Sequence, residues 1–174
     1  MLEHFAALAR YNRWMNGKVY ATAAELREED RRKDLGAFFR SVHGTLNHLL
    51  LADRIWLGRF GTIEPPRFAT MGDELFADFA ELRHERTKTD DVIDSFIDGL
   101  TADRLAAPLA YRTGRGPVEH PLWFAVLHLF NHQTHHRGQL TTLLVQLGRD
   151  PGVTDLIALL REAPRLDAAR DEQH

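Results

Sequence analysis

The chain has 174 residues, 44% hydrophobic and 27% charged, a formal net charge of −3 and no cysteine. That length is enough to bury a full core, and the composition is that of a globular rather than a disordered chain. The near-neutral charge excludes a global basic field for DNA or RNA, and the absence of cysteine excludes disulfides, thiolate metal sites and a cysteine nucleophile.

The N-terminal stretch MLEHFAALARYNRWMNG lacks the basic and apolar regions of a signal peptide. No run reaches the roughly 18 apolar residues of a membrane span. The expectation is a soluble, cytoplasmic protein that binds neither membrane nor nucleic acid.

Helical periodicity marks four long segments. The first runs from about Leu2 to Leu26, with Phe5, Leu8, Ala9, Trp14, Met15, Val19 and Tyr20 as apolar positions. A charged, solvated run from Arg27 to Asp34 ends it. The second extends from about Leu35 to Phe60, and Gly61 with Pro65–Pro66 closes it. The third runs from about Met71 to Leu100, with Thr70 as N-cap and Asp73 three residues on. Residues 101–120 contain Pro108, Gly114, Gly116 and Pro117 and read as a loop with a short hairpin around Tyr111–Gly116. Pro121 opens the fourth segment, which Gly148 and Pro151 terminate after Leu147. A short helix over about Thr154–Glu162 follows.

Four helices without extended strands predict an all-α four-helix bundle with a short additional C-terminal helix, one domain over residues 1–163, and a polar, frayed tail over 164–174. Long loops between helices two and three and between three and four are placed to shape a site at one end.

Four of the ten histidines lie within nine residues of the fourth helix, in HLFNHQTHHRGQ at 128–139. With His132 set at 0°, His136 falls at about +40°, His128 at about −40°, His135 at about −60° and Gln139 at about −20°. The apolar stripe of Leu122, Val126, Leu129, Leu140, Leu143, Leu144 and Leu147 centres near about +80°. His132 and His136 are therefore nearest the core, and His128 and His135 lie toward the rim. Residues i and i+4 share a face, so two imidazoles so spaced can reach one ion at about 2.0–2.1 Å. The ordinary alternative is a solvated polar edge, or histidines hydrogen-bonded at a helix interface.

A third ligand must come from another helix. On the second, His43 and His48 lie about 140° apart and cannot share a face. His43 shares its arc with Arg40, Asn47, Arg54 and Gly58, which reads as the solvent side. His48 sits with Ala52 and Ile55, where a histidine needs a partner. His48 is the better ligand, and three neutral imidazoles leave a coordination position open.

These residues resemble a known family. AsnHisLeuLeuLeuAlaAspArgIleTrpLeu at 47–57 and AsnHisGlnThrHisHisArgGlyGln at 131–139 resemble the two histidine motifs of the DinB-like family of damage-inducible bacterial proteins, and TyrAsnArgTrpMetAsn at 11–16 resembles its first helix. The resemblance covers the chain to about residue 160. It implies a four-helix bundle with His48, His132 and His136 as ligands of a divalent ion, commonly zinc or nickel, and often a homodimer. Some members of that family are thiol-dependent S-transferases or amide-cleaving isomerases and hydrolases, and many have no known substrate, so the resemblance implies a metal-dependent transferase or hydrolase as one of two readings.

Two function classes follow. As an enzyme, the protein would use its metal to polarise a carbonyl or activate a small-molecule thiol, with His128, His135, Gln139 and Asn12 as candidate catalytic groups. Arg13, Arg112 and Arg137 are candidate partners for a thiol's carboxylates; surface arginine is the ordinary reading of each. As a non-catalytic metal- or ligand-binding stress-response protein, it would have a closed site. Trp14, Trp56 and Trp123 read as apolar anchors. Gly138, costing about 1 kcal/mol in a helix, reads as a point of close helix approach.

Overall fold

The structure is a computed structural model, and it describes residues 1–161. The sequence-predicted tail and the last residue of the predicted terminal helix lie outside the described residues. The long helices are α1 (Leu2–Ala24), α3 (Val42–Arg59), α4 (Phe79–Asp98) and α6 (Leu122–Gln146). Short helices α2 (Glu28–Arg32) and α5 (Ala102–Ala106) lie in the connections, and residues 156–161 are helical. An antiparallel hairpin pairs β1 (Pro108–Thr113) with β2 (Gly116–Pro121), Tyr111 opposite Val118. No described helix is long and apolar enough to cross a membrane.

α1 packs against α4 and α6, and α3 packs against the same two. The order around the bundle is therefore α1–α4–α3–α6. Two apolar clusters fill it. One holds Val19, Tyr20, Leu46, Leu50, Leu82, Leu140 and Leu144; the other holds Phe5, Leu57, Ile93, Ile97, Val126 and Phe130. α1 and α6 run from the second cluster to the first, whereas α3 and α4 run the other way. Because α3 and α4 are parallel, the chain between them must return along the length of the bundle. Residues 61–78 make that return.

This return explains why the third long helix does not start near Met71. Its N-cap is Asp78, whose carboxylate accepts from the Glu81 amide at 2.7 Å. Thr70 instead closes a local turn, its hydroxyl donating to Asp73 at 2.6 Å. The second helix likewise starts at Val42 rather than Leu35. Ser41 caps it, accepting from the Gly44 amide at 3.0 Å. Before it, Ala37 and Arg40 pair and Arg40 takes a positive φ of 65°.

A buried polar layer separates the two apolar clusters and draws on all four long helices. Arg86 pairs with Asp53 at 2.6 Å and with Asp90 at 2.9 Å, the latter without hydrogen-bond geometry. Asn16 donates to Asp90 at 2.9 Å. Arg137 donates to Asn12, Asn16 and Gln133, and Gln133 donates to the Leu49 carbonyl at 3.3 Å. Two arginines and two aspartates balance in sum: Arg86 pairs with both aspartates, and Arg137 is held by neutral amides.

Candidate metal centre

The histidines lie on the outer side of this polar layer. Gln133 and Arg137 point into the bundle from α6, so their neighbours His132 and His136 turn toward α3. His48 meets them there. Its Nε2 is 3.3 Å from Nε2 of His132 and 3.3 Å from Nε2 of His136. Ligating nitrogens of the three rings lie within 4.8 Å of one another. His48 is buried, and His132 and His136 are half-buried.

Hydrogen bonds fix which nitrogen of two rings carries the proton. Nδ1–H of His48 donates to the Met71 carbonyl at 2.9 Å, and Nδ1–H of His136 donates to Oε1 of Gln139 at 3.0 Å. In the neutral rings both Nε2 atoms are then lone-pair acceptors, and they face each other with no proton to share. That arrangement fits a cation. Ligand bonds of about 2.0–2.1 Å in a tetrahedral site put neighbouring donor atoms about 3.3–3.4 Å apart, the separation found here.

The rings are held neutral by their surroundings. Burial pushes His132 down to about 3, and the nearby His136, His48 and His128 rings add to the effect. Burial takes His48 down to about 4, against the opposing effect of its hydrogen bond to the Met71 carbonyl. Burial also lowers His136, with Gln139 acting in the opposite direction. Neutral imidazole is the form that ligates.

Phe39, from the connection before α3, stacks on His48 with ring centroids 3.7 Å apart, and meets His136 edge-on at 5.5 Å. A pocket of about 220 Å³ opens on the other side, beside His132 and His128, walled by Trp56, Arg59, Phe68 and Met71. The return segment 61–78 thus serves twice: its Met71 carbonyl orients His48, and its side chains form a wall.

The remaining sequence candidates are dispersed. His128 lines the pocket, its ring 5.0 Å from Trp56 and 5.7 Å from His132. Burial lowers its pKa, and the Arg59 charge lowers it further. His135 is exposed and accepts from Nε2 of Gln139 at 3.2 Å, so Gln139 bridges it to His136. Asn12 is buried in the polar layer, away from the pocket.

Several expectations are corrected. His43 is not on the solvent side: it is 1% exposed. The return segment covers that face of α3, with His43 Nε2 3.1 Å from the Phe76 carbonyl. Asn47 brackets Phe76 with bonds of 3.0 and 3.1 Å. Thirteen of the eighteen residues of α3 are buried, some in the bundle interior and others beneath this segment. Arg137 is not a surface arginine but belongs to the buried layer, Arg13 pairs with Asp91 and Asp94, and Arg112 faces outward on the hairpin. None of the three lines the pocket. A Cβ on Gly138 would meet nothing within 4 Å, so no helix approaches closely there. Trp56 packs against the second apolar cluster, as an anchor does, and also walls the pocket.

Reasoning from sequence missed Phe39, the Met71 carbonyl, Arg59 and the polar layer. The i,i+4 pairs Asn12/Asn16, Gln133/Arg137 and Arg86/Asp90 were available as a signal, because polar residues repeating every turn on an otherwise apolar helix mark a buried network. The Met71 carbonyl has no side-chain signature.

The model of the DinB family matches residues 1–172. The chain is 25% identical over 158 residues to Protein DinB of Bacillus subtilis (strain 168), covering 85% of this chain and 88% of that protein. The crystal structure of a DinB-like protein from Bacillus cereus ATCC 10987 superposes with a TM-score of 0.60 at 20% identity, over 80% of this chain and 90% of that one, which supports the bundle fold. With the family match running over nearly its whole length, the chain belongs to the DinB family.

Proposed function

We infer that the protein binds one divalent ion, zinc or nickel, through His48, His132 and His136, and that it is an enzyme acting on a small molecule, of the thiol-dependent transferase or hydrolase type. The observation that carries this reading is the 3.3 Å approach of the His48 and His136 Nε2 lone pairs, whose rings have already committed their Nδ1 protons. The tetrahedral spacing favours zinc.

When bound, such an ion supplies a Lewis acid with a free coordination position. The protein residues do the rest. Met71 and Gln139 hold two of the rings in their ligating tautomers. Phe39 covers one side and keeps water from it. His128 lines the pocket as a neutral ring and accepts the proton of the attacking group. In a thiol transfer the S–H bond breaks and its proton passes to His128. A sulfur–carbon bond forms, and the leaving group departs with its bonding pair. In a hydrolysis, water loses a proton to the same ring, its oxygen bonds to the carbonyl carbon, and the leaving group departs with its bonding pair and takes up that proton.

The pocket beside His132 favours an enzyme over a closed metal-storage site. The test is a screen of small thiols against electrophilic substrates on zinc-loaded protein. Turnover that disappears in His128→Ala, with metal content unchanged, supports the reading. A loaded protein that binds metal and turns over neither thiol nor amide substrates is a passive binder.

A further inference from the structure

Arg59 closes the last turn of α3 and lines the pocket beside His132 and His128. It is the one permanently charged side chain among the described residues of that lining, and no aspartate or glutamate lies there. Its guanidinium carbon is 4.4 Å from the ring centre of Trp56 and 4.4 Å from that of Tyr111. Tyr111 is in turn fixed by the hairpin: its hydroxyl donates to Nε2 of His120 at 3.1 Å, and His120 Nδ1–H donates to the Pro121 carbonyl at 3.0 Å.

Arg13, Arg27, Arg32, Arg54, Arg86 and Arg149 pair with carboxylates; Arg59 is among the described arginines that do not, and it lines the pocket against two aromatic rings. The two rings, which stand at 78° to each other, hold the guanidinium from one side and leave N–H donors on its other side for another group. They also fix its orientation beforehand, so little side-chain entropy is lost when a ligand binds. Burial disfavours its charge, as the lowered pKa of Arg59 reflects, and no acid nearby compensates. A planar anion meets that need with two parallel hydrogen bonds.

We propose that Arg59 is a specificity-determining residue that binds a carboxylate of the substrate, in the pocket that opens beside His132. The walls set the rest of the ligand. Trp56, Phe68 and Met71 accept an apolar or aromatic body. A volume of about 220 Å³ lies below the usual 300–1,000 Å³ of drug-sized sites, so the ligand is a small carboxylate or one end of a longer one. Calling this ligand the substrate rests on the enzyme reading above; carboxylate binding itself needs only the pocket.

The test is calorimetric titration of 3-phenylpropionate and of its neutral amide, 3-phenylpropionamide, into the full chain after chelator treatment. Removing the metal prevents the carboxylate from scoring by ligation. Wild type is expected to bind the carboxylate at least about tenfold more tightly than the amide. In Arg59→Met that ratio falls to about one while amide binding persists. Arg59→Lys keeps the charge but loses the fork, and its ratio is intermediate; it carries the test if Arg59→Met does not fold. A wild-type protein that binds neither probe, or both alike, overturns the proposal, as does a ratio unchanged in Arg59→Met. Metal content is measured in parallel on untreated protein. Absence of metal with the carboxylate preference intact sinks the enzyme reading and leaves the anion pocket.

Discussion

Gly44 stands where a side chain would collide with Phe39. A Cβ at position 44 would collide with the Phe39 carbonyl oxygen, and the ring of that same Phe39 lies stacked on His48. The first turn of α3 therefore has to be bare for the aromatic cover of the candidate centre to form. Gly44→Ala is expected to displace Phe39 and weaken zinc binding several-fold while the far-ultraviolet spectrum stays helical. Phe39→Ala should reproduce the affinity loss, at a stability cost of about 0.5–1.5 kcal/mol for the lost ring pair. Competition with a chromophoric chelator measures the first effect and urea unfolding the second. Unchanged affinity in both variants would show that Phe39 is no part of the centre.

Gln139 holds Nδ1–H of His136 and is half-buried beside it. Gln139→Leu removes the acceptor and frees the ring to turn. Zinc affinity should fall about 10–100-fold, the usual effect of losing the group that orients a ligand. Gln139→Glu, which still accepts, should retain most of it. Equal affinities in the two variants contradict this role.

The polar layer makes a stability prediction. Arg86 is 3% exposed and faces Asp53 and Asp90. Arg86→Met strands two buried carboxylates and should cost about 3–5 kcal/mol in urea unfolding. A loss below about 1 kcal/mol would mean that water reaches the layer.

The depressed histidines predict a pH dependence for metal-free protein. His132 and His48 are held at about 3 and about 4, below the roughly 6.5 of an unfolded chain. As pH falls below about 6.5, the unfolded chain takes up protons that the folded chain refuses. The stability is fully present above that value and drains away toward pH 4. The Tm of chelator-treated protein should therefore drop between pH 7 and pH 5, and less steeply in His132→Gln. Parallel profiles in the two proteins would remove His132 from the explanation.

The helical residues were easier to read than their arrangement. His132, His136 and His48 could be selected because a helix wheel needs only the 3.6-residue repeat. His43 was misread because its polar neighbours suggested solvent, while the chain segment covering it lies 33 residues away at Phe76. The starts of α3 and α4 were set several residues early, since periodicity continues into segments that tertiary packing holds in other shapes. Parallel α3 and α4 require a return crossing, and nothing local in residues 61–78 announces it. Arg59 carries no such signal, because a lone arginine at the end of a helix looks like any exposed one until Trp56 and Tyr111 are seen packed against it.

The central claim is that His48, His132 and His136 hold one divalent ion. Elemental analysis of protein purified without an affinity tag tests it most directly, read alongside single alanine variants. About one equivalent of zinc or nickel per chain is expected, absent in His132→Ala, His136→Ala and His48→Ala and retained in His43→Ala. A wild-type protein that carries no metal and whose Tm does not rise when either ion is added contradicts the claim.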